Sequence, residues 1–110
     1  MRKLLAALLM VPTMAMAEFE TGNMLYQRMT GSNIDRMYAI GYVAGVYDAT
    51  QTIFHCPPNT NTITLGQVYD MVQGYLAQNP AIRHRFADGL IREVLQRTWP
   101  CNNRNSKGAI

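Results

Sequence analysis

Residues 38–56, YAIGYVAGVYDATQTIFHC, decide the fold. They read as a helix running into a loop that opens at a cysteine. Gly41 and Gly45 are four residues apart and Ala49 follows four later, so on a helix the three share one face and cut a smooth groove into it. Each glycine costs about 1 kcal/mol of helix stability relative to alanine. Close approach of another backbone is the usual compensation, so the groove is expected to receive a second helix. The same spacing in an apolar run of about 20 residues marks pairs of membrane helices. Asp48, Gln51, Thr52 and His55 interrupt this run and exclude that reading. Asp48 lies on or near the glycine face and is expected to be partly buried there, as a polar clamp on a neighbouring helix or loop end.

The flanks complete an all-α reading: a small bundle of three main helices plus a short N-terminal helix. Thr21 caps the short helix, which runs to about residue 29 with Leu25 and Met29 on one face. A turn follows over residues 30–33, TGSN. Ser32 or Asn33 caps the central helix, Asp35 favours its first turn, and the helix is expected to run to about residue 54. Residues 55–62, HCPPNTNT, form a loop, since two prolines stop the helix and the Asn/Thr run suits turns. Thr64 and Gln67 then make a capping box, with Ile63 and Val68 at the staple positions. Leu65, Val68, Tyr69, Val72, Tyr75 and Leu76 continue with helical period. Asn79 and Pro80 close that helix and open the last, as cap and first helical position. The last helix is expected to bury Ile82, Phe86, Leu90 and Val94, flanked by Ala87, Ile91 and Leu95, and to end at Trp99-Pro100-Cys101. Residues 102–110 form a polar tail, expected to be disordered.

Residues 1–17 read as a leader. Arg2 and Lys3 precede an apolar run, and Ala15-Met16-Ala17 has the small-x-small form of a cleavage site, which makes Glu18 the expected mature N-terminus. The run is shorter than the ~18 residues that a spanning helix needs. Without the leader, eight Lys and Arg remain against seven Asp and Glu, a net charge of +1. The basic pI therefore owes much to the leader and is no argument for nucleic-acid binding. Cys56 and Cys101 both survive processing, and an even pair in a small exported chain reads as a disulfide. The central helix runs up, the next down and the last up. Each cysteine then lies just beyond the same end of the bundle. The expected compartment is a bacterial periplasm.

Chemistry finds little purchase. His55 beside Cys56 resembles a base and nucleophile, but a half-cystine is the ordinary reading in an oxidising compartment. His55, Cys56, His84 and Cys101 are conceivable zinc ligands, yet neither cysteine belongs to a close ligand pair. Asp48 and Asp70 have no second acid at i+3 or i+4. No cofactor and no catalytic residue is expected. Arg83, Arg85, Arg92 and Arg97 read as a solvated face, with Asp88 to Arg92 and Glu93 to Arg97 in the favourable i,i+4 order; an acidic partner surface is the sharper alternative.

Several of these residues form a familiar series. Tyr42-Val43-x-Gly45-Val46-x-Asp48, Phe54-x-Cys56-x-Pro58, Thr64-x-x-Gln67, Tyr75-Leu76, Pro80 and Trp99-Pro100-Cys101 together resemble the Tai/Rap family. These are small exported immunity proteins associated with type VI secretion amidase effectors. The resemblance covers nearly all of the chain after the leader. It implies an all-helical periplasmic domain, often dimeric, that binds a peptidoglycan amidase and blocks its active site. Many members carry a further cysteine pair joining the first helix to the central one; this chain has methionines in that region. The expected partner is thus one protein, a cell-wall hydrolase, with no nucleic acid and no membrane anchor after cleavage; a homodimer is among the assemblies the resemblance allows. The alternative is a small periplasmic stress chaperone or adaptor, which would expose apolar surface on acidification. For an inhibitor, the candidate contacts are Asn59, Thr60, Asn61 and Thr62, in a loop held between the Cys56 bridge and the Thr64/Gln67 cap.

Overall fold

The computed structural model of the chain describes residues 19–102. The expected leader, the expected cleavage point before Glu18 and the expected tail from residue 103 lie outside the described residues. Among those described are four helices: α1 Gly22–Met29, α2 Asn33–Thr50, α3 Leu65–Gln78 and α4 Ala87–Thr98. Two 3-10 turns, Thr60–Thr62 and Pro80–Ile82, lie between them, and no strand occurs among the described residues.

Local chemistry sets most helix starts. The Thr21 hydroxyl accepts from the Met24 N–H, and Ser32 accepts from the Asp35 N–H. The Thr64/Gln67 capping box is complete in both directions. All four helices contribute to one core. Leu25 and Met29 meet Ala39 and Val43, Val68, Val72 and Leu76, and the α4 residues Leu90, Ile91 and Leu95. Full burial of one such side chain contributes roughly 1.5–3 kcal/mol. Among the described residues no helix is long and apolar enough to cross a membrane.

The glycine face is turned the other way from its expected orientation. A Cβ built on Gly41 or Gly45 meets nothing within 4 Å, and both residues are exposed. Asp48, on the same side, is exposed rather than partly buried. The opposite stripe of α2, with Ala39, Val43 and Thr50, is buried. Its weight decides the orientation: Val43, Val46, Tyr42 and Tyr47 bring more apolar area to the core than a glycine notch can. Between Arg36 and Asp48 the helix carries no charge, so its periodicity left either face free to be buried. With open space at Gly45, Gly45→Ala is expected to raise stability by about 0.5–1 kcal/mol, through helix propensity alone. Thermal unfolding checks this; a lowered melting temperature would mean that the face is covered in solution.

The glycine that does meet another chain segment is Gly22. A Cβ there would lie 2.6 Å from Leu90 Cδ1 and 2.9 Å from the Arg83 carbonyl oxygen. The reason is an extended strap. The Gly22 and Asn23 N–H groups donate to the Arg85 and Arg83 carbonyls, and the Ala87 N–H donates to the Glu20 carbonyl. This strap also corrects the last helix, which begins at Ala87 and not at Pro80. Pro80 opens only a 3-10 turn, and the Asn79 side chain donates back to the Tyr75 carbonyl instead of capping. Residues 83–86 are drawn out to pair with the N-terminal segment. Phe86 becomes an exposed N-cap residue, against the Phe19 ring at 5.9 Å, instead of a core residue.

The central helix ends at Thr50, four residues before the expected limit. Thr52 takes φ 66°, the left-handed region that a β-branched residue rarely enters. Its N–H donates to the His55 carbonyl, while the Ile53 and Phe54 N–H groups close on the Thr50 carbonyl. The chain turns tightly there and delivers His55 into the core and Cys56 to the bridge.

Candidate functional site

Cys56 and Cys101 are joined, with Cα atoms 4.8 Å apart. The expected bridge is present, and it consumes both thiols, so neither serves as nucleophile or thiolate ligand. Among the described residues no three of His, Cys, Asp and Glu are grouped to hold a metal ion. The Cys56 N–H also donates to the Trp99 carbonyl, at 2.8 Å, which fastens the start of the loop to the end of α4.

From that anchor the loop runs to the α3 cap and is ordered by its own side chains. Asn59 Oδ1 accepts from the Asn61 N–H at 3.0 Å. The Asn59 carbonyl accepts from both the Thr62 N–H, at 3.1 Å, and the Thr62 hydroxyl, at 3.0 Å. Asn59 therefore builds the 3-10 turn Thr60–Thr62, whereas the exposed Asn61 side chain takes no part in it. Asn59, Asn61 and Thr62 are all exposed. The loop is polar, presented to solvent and fixed at both ends, as the sequence led one to expect.

Beneath the loop's start lies a cluster that the sequence did not disclose. His55 is fully buried, with its ring 4.8 Å from Tyr47 and 6.5 Å from Trp99. Its Nδ1 is 3.3 Å from Thr50 Oγ1, whose own hydrogen goes to the Val46 carbonyl at 2.7 Å. The hydroxyl can then only accept from the ring, which assigns the imidazole proton to Nδ1. Nε2 is left buried without a protein partner, as is the Tyr47 hydroxyl. Burial pushes the His55 pKa down and the Tyr47 pKa up, so both are neutral near pH 7. The only hint in the sequence was a histidine directly before a half-cystine.

The arginine face is as expected. Arg92 pairs with Asp88 at 3.4 Å and Arg97 with Glu93 at 3.0 Å. Arg85 adds a contact to Glu93 at 3.2 Å, and Arg83 stacks over the Tyr26 ring. Its charges are largely satisfied within the molecule.

The loop's far end borders a second feature. Ile63, Thr64 and Leu65 form one wall of a hollow of about 240 Å³, and Ala44, Tyr47 and Asp48 of α2 form the other. Leu65, read from periodicity as a helix-face residue of α3, is exposed on this rim.

The arrangement is an exposed polar loop beside an apolar-rimmed hollow, on a disulfide-closed helical bundle. The family model of the Rap1a immunity proteins matches residues 21–101, from the α1 cap to the second half-cystine. The chain belongs to this family. No curated protein matches it closely. Immunity proteins bind an effector partner and are generally non-enzymatic. The family match also contains every capping and bridging residue described above, from Thr21 through Thr64 to Cys101.

Proposed function

We propose that this protein acts in the periplasm, after removal of residues 1–17, as an inhibitor of one secreted effector, a peptidoglycan amidase or related cell-wall hydrolase. Membership of the immunity family carries this reading. Of the two readings opened by the sequence, it supports the inhibitor over the stress chaperone. The ordered polar loop supplies the means. An enzyme cleft is blocked by something that enters or covers it, and a loop already fixed at both ends loses little entropy on doing so. Its backbone and amide groups can take hydrogen-bond positions that a peptide substrate would use. The protein itself has no catalytic role in this scheme. The dimer that the resemblance allows has the outward stripe of α2 at its disposal, where Ile34, Met37 and Tyr38 are exposed beside the two glycines.

Co-expression provides the test. Among cells each exporting one peptidoglycan amidase, at least one strain should survive when it also exports this protein and lyse when it does not. Equal lysis with and without it in every strain would overturn the reading. The loop has its own test, and Asn59 and Asn61 are best changed separately. Asn61→Ala leaves the turn intact and is expected to weaken inhibition about tenfold, the loss of one or two interfacial hydrogen bonds. Asn59→Ala also releases the turn and is expected to weaken inhibition further. Neither should move the melting temperature by more than a few degrees. Parental affinity in Asn61→Ala would make the loop a connector only.

A further inference from the structure

Between α2 and α3 lie two neighbouring hollows of about 240 Å³ each, separated by Leu65. The first is floored by Ala44, Ile63 and Val68 and carries Asp48. The second is bounded by Ile40, Gly66 and Tyr69 and carries Asp70. Leu65 and Ile40 stand exposed on their rims. Each hollow has the size of one large aliphatic or aromatic side chain.

The charge on this side differs from that on the rest of the molecule. Glu20, Asp35, Asp88 and Glu93 each pair with an arginine. Asp48 and Asp70 are exposed and have no ion pair among the described residues. Arg36 and Asp70 both act on the Tyr69 hydroxyl, with opposite signs. The arginines of α4 are engaged on their own face. The bundle therefore shows one side of satisfied ion pairs and another where unpaired carboxylates flank apolar hollows. The second side continues directly from the loop, through Ile63 and Thr64.

We infer that the α2/α3 hollows are a docking groove for a segment of the effector in which apolar side chains alternate with lysine or arginine. This rests on the immunity reading and names the chemistry of the contact. The apolar side chains fill the two hollows on either side of Leu65. The cations meet Asp48 and Asp70, which choose the partner and its register more than they add affinity. The loop then lies over the adjoining surface of the same partner, and the groove supplies the apolar anchor that a polar loop lacks.

The probe is a short synthetic peptide of alternating lysine with leucine and phenylalanine, titrated into the isotopically labelled protein and followed by amide NMR. An acidic peptide, with glutamate for lysine, is the control. The basic peptide should shift the amides of Ile40, Ala44, Asp48, Leu65 and Asp70, and the acidic one should not. Asp48→Lys with Asp70→Lys should weaken binding at least about tenfold at an unchanged melting temperature, since both residues are exposed. Shifts confined to α4, equal shifts with both peptides, or none at millimolar peptide would overturn the inference. So would concentration-dependent shifts of the same amides without peptide, which would assign the groove to a second copy of the chain. The co-expression assay reads the immunity function separately: protection by the parent protein with no groove binding would sink the groove alone.

Discussion

Changing Cys56 and Cys101 together to alanine is expected to lower the free energy of unfolding by about 2–5 kcal/mol. The bridge spans a sequence separation of 45 residues, for which loop-closure entropy alone gives about 4 kcal/mol. A domain of this size typically has about 5–15 kcal/mol in all, so the loss approaches half of it. The effect should not be confined to the unfolded chain. The bridge and the Cys56 N–H bond to the Trp99 carbonyl hold the end of α4 against the turn after α2. Without the bridge, Trp99 is freer to leave His55 and Tyr47, and the loop loses its first anchor. Urea unfolding of the double variant against the parent measures the first effect, and amide hydrogen exchange over residues 56–64 measures the second. An unchanged unfolding midpoint would remove the bridge from the account of stability.

Acid should weaken the fold through His55. The ring is fully buried, and no carboxylate contributes to its titration; desolvation alone lowers its pKa. The unfolded chain therefore takes up a proton in the ordinary histidine range, near pH 6.5, while the native state resists until lower pH. Stability rises with pH wherever the unfolded state binds more protons. The contribution of neutral His55 is thus intact above about pH 7. It falls by up to about 1.4 kcal/mol for each unit below pH 6.5, until the folded-state pKa is reached. Below the folded-state pKa no further stability is lost through this ring. Urea unfolding at pH 7.5 and pH 5 should show this difference in the parent and a smaller one in His55→Asn. Equal stability of the parent at both pH values would mean that the ring is not held neutral.

The sequence disclosed the parts that depend on local chemistry. Thr21, Ser32 and the Thr64/Gln67 pair each satisfy backbone donors within three residues, so their caps can be read without a tertiary structure. The bridge was legible because an even cysteine count, in a chain expected to be exported, constrains it. Three features were hidden, for one shared reason. The orientation of α2 depends on the summed apolar area of two competing stripes, which no single residue of α2 announces. The start of α4 depends on hydrogen bonds from Gly22 and Asn23, some sixty residues away in sequence. The stop at Thr50 depends on a left-handed threonine, which propensity argues against. At the candidate site, the two anchors of the loop, the Cys56 bridge and the Thr64/Gln67 cap, were legible. The distinct roles of Asn59 and Asn61, the burial of His55 and the hollows beside Leu65 needed the packed bundle.

The strap that ties residues 20–23 to residues 83–87 sets the order in which the molecule is finished. A chain emerges N-terminus first, yet here residues 20–23 have no seat until the stretch before α4 arrives. Gly22 waits for Leu90, and Cys56 for Cys101. Both closures need residues 83–101, so neither can form before that stretch is present. A copy interrupted before α4 holds neither clasp. Its loop has no first anchor and its first helix has no dock. On the proposed function, inhibition would then require a chain that extends through Cys101.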